Sequence, residues 1–228
     1  MKDLRRNMSK RSVVRRKPLM TDGLPILVAI VGGSGAGKTW LAEQLEARLG
    51  GNIARFCADD FYRDQSHLPP ARRARINYDH PRAIDWERLE GVLKDCREEK
   101  ETRIPQYDFA THTRRKNEKR LKPGPLIIVD GLWLLRRRAV RRHFHLTIFI
   151  KCPTKLRLQR RLARDLLSRG RDSASVIRQF RETVEPMNAR HVSPQVRWAD
   201  IRLKTPILAA TVSLIADELA ARLNAGND

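Results

Sequence analysis

The chain reads as an α/β fold built on a parallel sheet of about five strands flanked by helices. Three observations point there. Apolar, β-branched runs alternate with stretches of helical periodicity, the order that lays helices over both faces of a parallel sheet. The first apolar run leads straight into a glycine-rich loop and then a helix. Three apolar runs end in polar clusters, at the loop itself, at Asp59-Asp60 and at Asp130. In an open parallel sheet, ligands sit beyond the carboxyl ends of the strands, so these clusters are expected around one site.

The elements follow in order. Residues 25–31 form the first strand, and the next helix carries Leu41, Leu45 and Leu49 on one face. Residues 53–58 read as the second strand, followed by a polar, proline-containing loop to about residue 82. Trp86, Leu89, Val92, Leu93 and Cys96 repeat at helical spacing. Residues 102–122 are short apolar pieces among charges, as in an exposed hairpin. Leu126-Ile127-Ile128-Val129 is a buried strand, and 146–150 is another. Helices are expected over 154–168 and 173–190, with a short strand over 198–203. The last helix shows Leu208, Val212, Ile215 and Leu219 at 4-3-4 spacing.

The loop has the full G-x-x-x-x-G-K-[ST] pattern: Gly32, Gly33, Ser34, Gly35, Ala36, Gly37, Lys38, Thr39. Glycines let the backbone curl until its N–H groups converge on phosphate oxygens, and the following helix adds its positive end. Lys38 is suited to β- and γ-phosphates, and the Thr39 hydroxyl to Mg²⁺. Strand, loop and helix together predict the P-loop NTPase class. Asp130 closes four apolar residues, the pattern of a second acid holding Mg²⁺ beside Thr39. Transfer of a phosphoryl group to an alcohol also needs a carboxylate at the acceptor hydroxyl. Asp59 and Asp60 both qualify by position.

At 228 residues the chain suits one domain, expected over 23–225. Residues 1–22 are basic, lack apolar periodicity and are expected to form a disordered arm. Net charge is +21, which favours polyanions and allows nonspecific nucleic-acid contact through the arm. No run is apolar enough for a membrane span. The three cysteines, Cys57, Cys96 and Cys152, show no zinc spacing and read as free thiols, so the expected compartment is the cytoplasm.

Several pieces line up with a known family. After the loop come Asp59-Asp60-Phe61-Tyr62, Asn77-Tyr78-Asp79-His80-Pro81 and Ile104-Pro105-Gln106-Tyr107-Asp108-Phe109 with His112 and Arg114. Asp130-Gly131, Arg160-Arg161-Leu162-Ala163-Arg164-Asp165, Arg169-Gly170-Arg171-Asp172 and Trp198-Ala199-Asp200-Ile201 complete the set. Over about residues 24–203 this resembles uridine kinase, of the phosphoribulokinase/uridine kinase group.

The resemblance implies phosphorylation of the 5′-hydroxyl of uridine or cytidine by ATP or GTP with Mg²⁺, a step of pyrimidine salvage. It implies a catalytic set of Asp59, Lys38, Arg169 and Arg171, with Asp59 as the base. Asp79 is expected to grip the ribose hydroxyls with Arg161 nearby, and Tyr107, His112 and Phe109 to meet the pyrimidine. Gln179 is a more distant pocket residue, and Arg164 belongs with the nucleotide and an arginine-rich lid over 155–172. A β-hairpin over the base and a tetramer or dimer are also implied. The chemistry agrees: a carboxylate accepts both hydrogens of a diol, and a pyrimidine needs a stacking face with a few edge hydrogen bonds.

Two other readings compete. One is the same scaffold acting on pantothenate, glycerate or a sugar phosphate, none of which needs the Tyr107–His112 pair. The other is a nucleic-acid-associated ATPase, motivated by the charge and by Arg136-Arg137-Arg138 with Arg141-Arg142. Asn117-Glu118-Lys119 does not fit a guanine-reading motif, which speaks against a GTPase switch. The chain departs from the family pattern at Trp40, where a small or aliphatic residue is common, and at Asp130, where Glu is more frequent.

Overall fold

The computed structural model describes residues 24–51, 53–169 and 172–225. The expected arm over 1–22 and Arg171 of the expected lid lie outside the described residues, as does the side chain of Arg169.

The chain opens with β1 (Ile26–Gly32), α1 (Lys38–Leu49) and β2 (Ile53–Cys57). Then come α2 (Trp86–Arg97) and four short strands: β3 (Thr102–Ile104), β4 (Tyr107–Asp108), β5 (Thr113–Arg114) and β6 (Lys119–Leu121). β7 (Leu126–Gly131), β8 (Leu146–Lys151), α3 (Thr154–Arg169) and α4 (Ser173–Gln179) follow. β9 (Ile201–Lys204) and α5 (Ala209–Ala225) end the fold.

Five strands pair in the order β2-β7-β1-β8-β9, all parallel. β1 is buried along its whole length, which is why it reads as a continuous apolar run instead of an alternation. Its side chains divide by parity. Leu27, Ala29 and Val31 face the core shared with α2, and Ile26, Val28 and Ile30 face α1 and α5. β2 lies at the sheet edge and alternates between buried and half-buried, with Arg55 turned out to Glu46 at 3.1 Å. β1 lies in the centre, flanked by β7 and β8, so the loop after it opens where the strand order turns back, a place where such sheets bind ligands.

Local chemistry sets the helix ends. Asp85 caps α2 by accepting from the Arg88 N–H at 3.3 Å, and Asp172 caps α4 through the Ser175 N–H at 2.7 Å. α2 buries the five apolar residues its spacing marked, Trp86, Leu89, Val92, Leu93 and Cys96.

Three expectations need correction. The helix expected over 173–190 keeps α-geometry only to Gln179. It then runs through wide turns at Phe180–Val184 and Asn188–Val192, with one α-turn between them, and a tight stretch over Ser193–Trp198. Pro186 and Pro194 are the physical reason: neither has an N–H to return and each ring crowds the preceding turn, so the hydrogen-bond ladder shifts. The hairpin over 102–122 is not simply exposed. β3 pairs with β6 and, further in, β4 pairs with β5, while Thr102, Ile104, Tyr107 and Leu121 are buried against the core. Leu208 precedes α5 and is exposed. The buried face of that helix is Val212, Ile215, Ala216 and Leu219. Among the described residues, no helix is long and apolar enough to cross a membrane.

Candidate active site

One cavity of about 930 Å³ runs along the carboxyl end of the sheet. Its middle is the glycine-rich loop. Gly35 has φ +77°, and a methyl group there would stand 2.5 Å from the Arg157 carbonyl oxygen, so both conformation and space require glycine. The cavity wall is Ser34 to Thr39. Gly32 and Gly33, expected to touch the nucleotide, stand behind that wall. Gly32 closes the buried strand β1, and Gly33 is backed by Arg157 and Asn188. Lys38 Nζ rests 3.4 Å from the Gly33 carbonyl, a long contact that leaves the ammonium able to turn to phosphate.

Thr39 Oγ1 donates to Asp130 Oδ2 at 2.8 Å, across the step from α1 to β7. The pair fits a magnesium site, because Mg²⁺ takes hard oxygen ligands and few of them from protein, the rest being water and phosphate. The parallel register pairs Cys57 with Asp130, so the turn after β2 is delivered beside that acid.

That turn, Ala58–Phe61, separates the two acids that sequence left equivalent. Asp59 lines the cavity. Asp60 does not: its Oδ1 lies 3.4 Å from the Tyr107 N–H, on the side of the hairpin. Burial pushes the Asp60 carboxyl up to about 6, against the pull of that hydrogen bond and with the Asp59 charge adding to the rise.

The described arginines of α3 divide: Arg160 and Arg164 are exposed, and the other two turn inward. Arg157 and Arg161 are 3% and 6% exposed. Arg161 donates to Ser34 Oγ at 3.0 Å and to Gln179 Oε1 at 2.9 Å, and it shares the buried Asp165 with Arg164. Arg160 lies 3.4 Å from the carbonyls of Gly35 and Ala36. Arg157 pairs with Glu185 and lies 5.5 Å from the Phe180 ring centroid. The first half of the expected lid is thus packed against the phosphate loop. Arg160, Arg161, Arg164 and Gln179 all reach the cavity wall.

Beyond Asp59 the cavity becomes aromatic. Asp79, Tyr107, Phe109 and His112 line it, as the sequence predicts, and so do Tyr62 and Tyr78, which the sequence reading missed. Tyr78 stacks on His112 with ring centroids 4.2 Å apart and planes 6° from parallel. Its position directly before Asp79 was the available signal. His112 sits at φ +56°, a left-handed turn that histidine adopts more readily than most residues. Burial raises the Asp79 carboxyl above its ordinary value, and Arg161 opposes the rise. Arg114 fixes the hairpin in place: it donates to the Tyr62 carbonyl at 2.8 Å, the Phe61 carbonyl at 3.3 Å and Asp85 at 3.1 Å. Thr205, Pro206 and Ile207 follow β9, at the sheet edge opposite β2, and line the cavity together with Trp40.

A phosphate cradle, an oxygen pair suited to magnesium and an acid between them and a second pocket together define the class of P-loop kinases. Comparison with known proteins narrows it. The sequence model of the phosphoribulokinase/uridine kinase family matches residues 27–208, and the chain belongs to that family. A uridine kinase of Chloroflexus aggregans is 39% identical over 178 residues, covering 78% of this chain and 85% of the relative. A uridine kinase of Tolumonas auensis is 39% identical over 189 residues, covering 80% and 88%. Among solved structures, phosphoribulokinase from Rhodobacter spheroides aligns over 80% of this chain and 70% of its own, with TM-score 0.59 and 18% identity, a likeness of fold. The protein is therefore a phosphotransferase with a nucleotide as phosphoryl donor.

Proposed function

We infer that the protein phosphorylates the 5′-hydroxyl of uridine or cytidine, using ATP or GTP and Mg²⁺. The observation behind this reading is the set of groups gathered in one cavity: phosphate loop, Asp59, Asp79 with Arg161, and the aromatic cluster. The relatives named uridine kinase support it.

Each group has a part. The loop N–H groups and Lys38 hold the donor's phosphates. Thr39 and Asp130 would hold Mg²⁺, which when bound neutralises charge on the β- and γ-phosphates. Asp79 accepts hydrogen bonds from the ribose hydroxyls, with the buried Arg161 guanidinium opposing the rise that burial imposes on its carboxyl. Tyr107, Phe109 and His112 receive the pyrimidine, with Tyr78 backing His112. With the nucleoside so held, Asp59 takes the proton of the 5′-hydroxyl as the hydroxyl oxygen bonds to the γ-phosphorus. The bond to the β–γ bridging oxygen breaks and the nucleoside diphosphate leaves. Arg164 contributes charge near the transferring group. Arg169 and Arg171 are proposed as lid residues on the family resemblance alone.

The test is ADP release with Mg-ATP and a panel of uridine, cytidine, adenosine, pantothenate, glycerate and ribulose 5-phosphate. Turnover with uridine or cytidine, lost in Asp59→Asn, is expected. Turnover only with a non-nucleoside would overturn the roles given to Tyr107 and His112.

A further inference from the structure

The cavity has three zones, and the function above uses two. The third lies past Thr39 and is walled by Trp40, Thr205, Pro206 and Ile207. Trp40 is 43% exposed, whereas Trp86 and Trp133 are 4% and 2% exposed, and Trp198 is half-buried beside the guanidinium groups of Arg141 and Arg197. An indole left open on a cavity wall has apolar surface in want of a partner.

The partner follows from the layout. Phosphates are fixed along Ser34–Thr39, and the acceptor lies on the Asp59 side. The rest of the donor must leave the loop in the opposite direction, and Trp40 is the next residue along it. We propose that the Trp40 indole is the stacking platform for the base of the phosphoryl donor. The proposal rests on the kinase reading and extends it to the donor.

The chemistry of the wall agrees. None of Trp40, Thr205, Pro206 and Ile207 carries an ionisable side chain, and three of the four present mainly apolar surface. A stacking face reads the π-surface, which every base has. Pro206 and Ile207 supply a second apolar surface in the same zone.

The test is a tryptophan-fluorescence titration of the full chain with ADP and with GDP, with no acceptor present. Both should quench emission, since stacking is sequence-tolerant. Trp40→Phe should lose the quench and keep most of the affinity, measured by calorimetry. Trp40→Ala should weaken both nucleotides roughly 5- to 100-fold, the range for loss of one base–aromatic stack, and leave inorganic tripolyphosphate binding unchanged. Wild-type ADP affinity in Trp40→Ala, or tripolyphosphate binding weakened as much as ADP binding, would overturn the proposal. No acceptor enters the assay, so failure to phosphorylate nucleosides would defeat the acceptor reading and leave this result standing.

Discussion

The phosphate end and the acceptor end of the cavity are built in opposite ways. The phosphate end is a contiguous loop, Ser34 to Thr39, whose functional atoms are mostly backbone. The acceptor end is made of side chains from separate segments: Asp59 after β2, Asp79 in the following loop, and Tyr107 and His112 in the hairpin. Backbone groups tolerate changes of side chain around them, while assembled side chains can be exchanged one at a time. A scaffold with this division can keep its donor chemistry and alter its acceptor.

The sharpest test of the division is at the junction. Asp59→Asn should lower kcat by about 10²- to 10⁴-fold, the range for loss of a general base, with both KM values within a few-fold of wild type. Next come the two ends separately. Asp79→Asn should raise the nucleoside KM about 10- to 100-fold, as expected when a charged hydrogen-bond acceptor becomes neutral, and leave ATP binding unchanged. Steady-state kinetics with each substrate varied in turn would show this. If both KM values rise together, the two ends are not independent.

Smaller effects probe the supports. Arg114→Met leaves the Phe61 and Tyr62 carbonyls and Asp85 without their shared donor, and urea unfolding should show a loss of about 1–3 kcal/mol. Asp60 gives the smallest effect and depends on pH. Its carboxyl is raised to about 6 in the folded chain, above the ordinary value of 3.8. The folded state therefore binds the proton more tightly, and stability falls as pH rises through that window. Asp60→Asn should be more stable than wild type at pH 8 by about 1–2 kcal/mol, less than the full shift because the group is partly solvated. The gain should vanish near pH 4. A constant difference from pH 4 to 8 in thermal melts would reject this origin.

The two ends also differed in how much of them could be read from sequence. The loop, the Asp130 strand and the parallel sheet rest on contiguous patterns: a spaced glycine motif, apolar runs, and periodicity. Asp79, Tyr107 and His112 came from the order of family motifs, since a lone tyrosine or histidine carries no signal of its own. What escaped depends on distant contacts. Arg161 meets Ser34 across 127 positions, and no local pattern marks such a pair. The arginines of α3 read as part of a lid, and spacing gives their common side without saying that Arg157 and Arg161 pack behind the phosphate loop. Tyr78 was hidden beside the more conspicuous Asp79. The departure from α-geometry after Gln179 depends on Pro186 and Pro194, neither of which returns an N–H to the ladder.

The contact between Arg157 and the loop makes two glycines of one motif unequal in their mutational history. Gly35 faces the Arg157 backbone and has a positive φ, so no change elsewhere in the protein makes room for another residue there. Gly33 faces side-chain ends, with Asn188 Oδ1 2.6 Å and Arg157 Nη1 2.8 Å from where a methyl would stand. Those atoms belong to replaceable residues. Alanine at 33 becomes admissible once the side chains at both 157 and 188 have given way, so the three positions are expected to drift together, whereas position 35 stays fixed on its own.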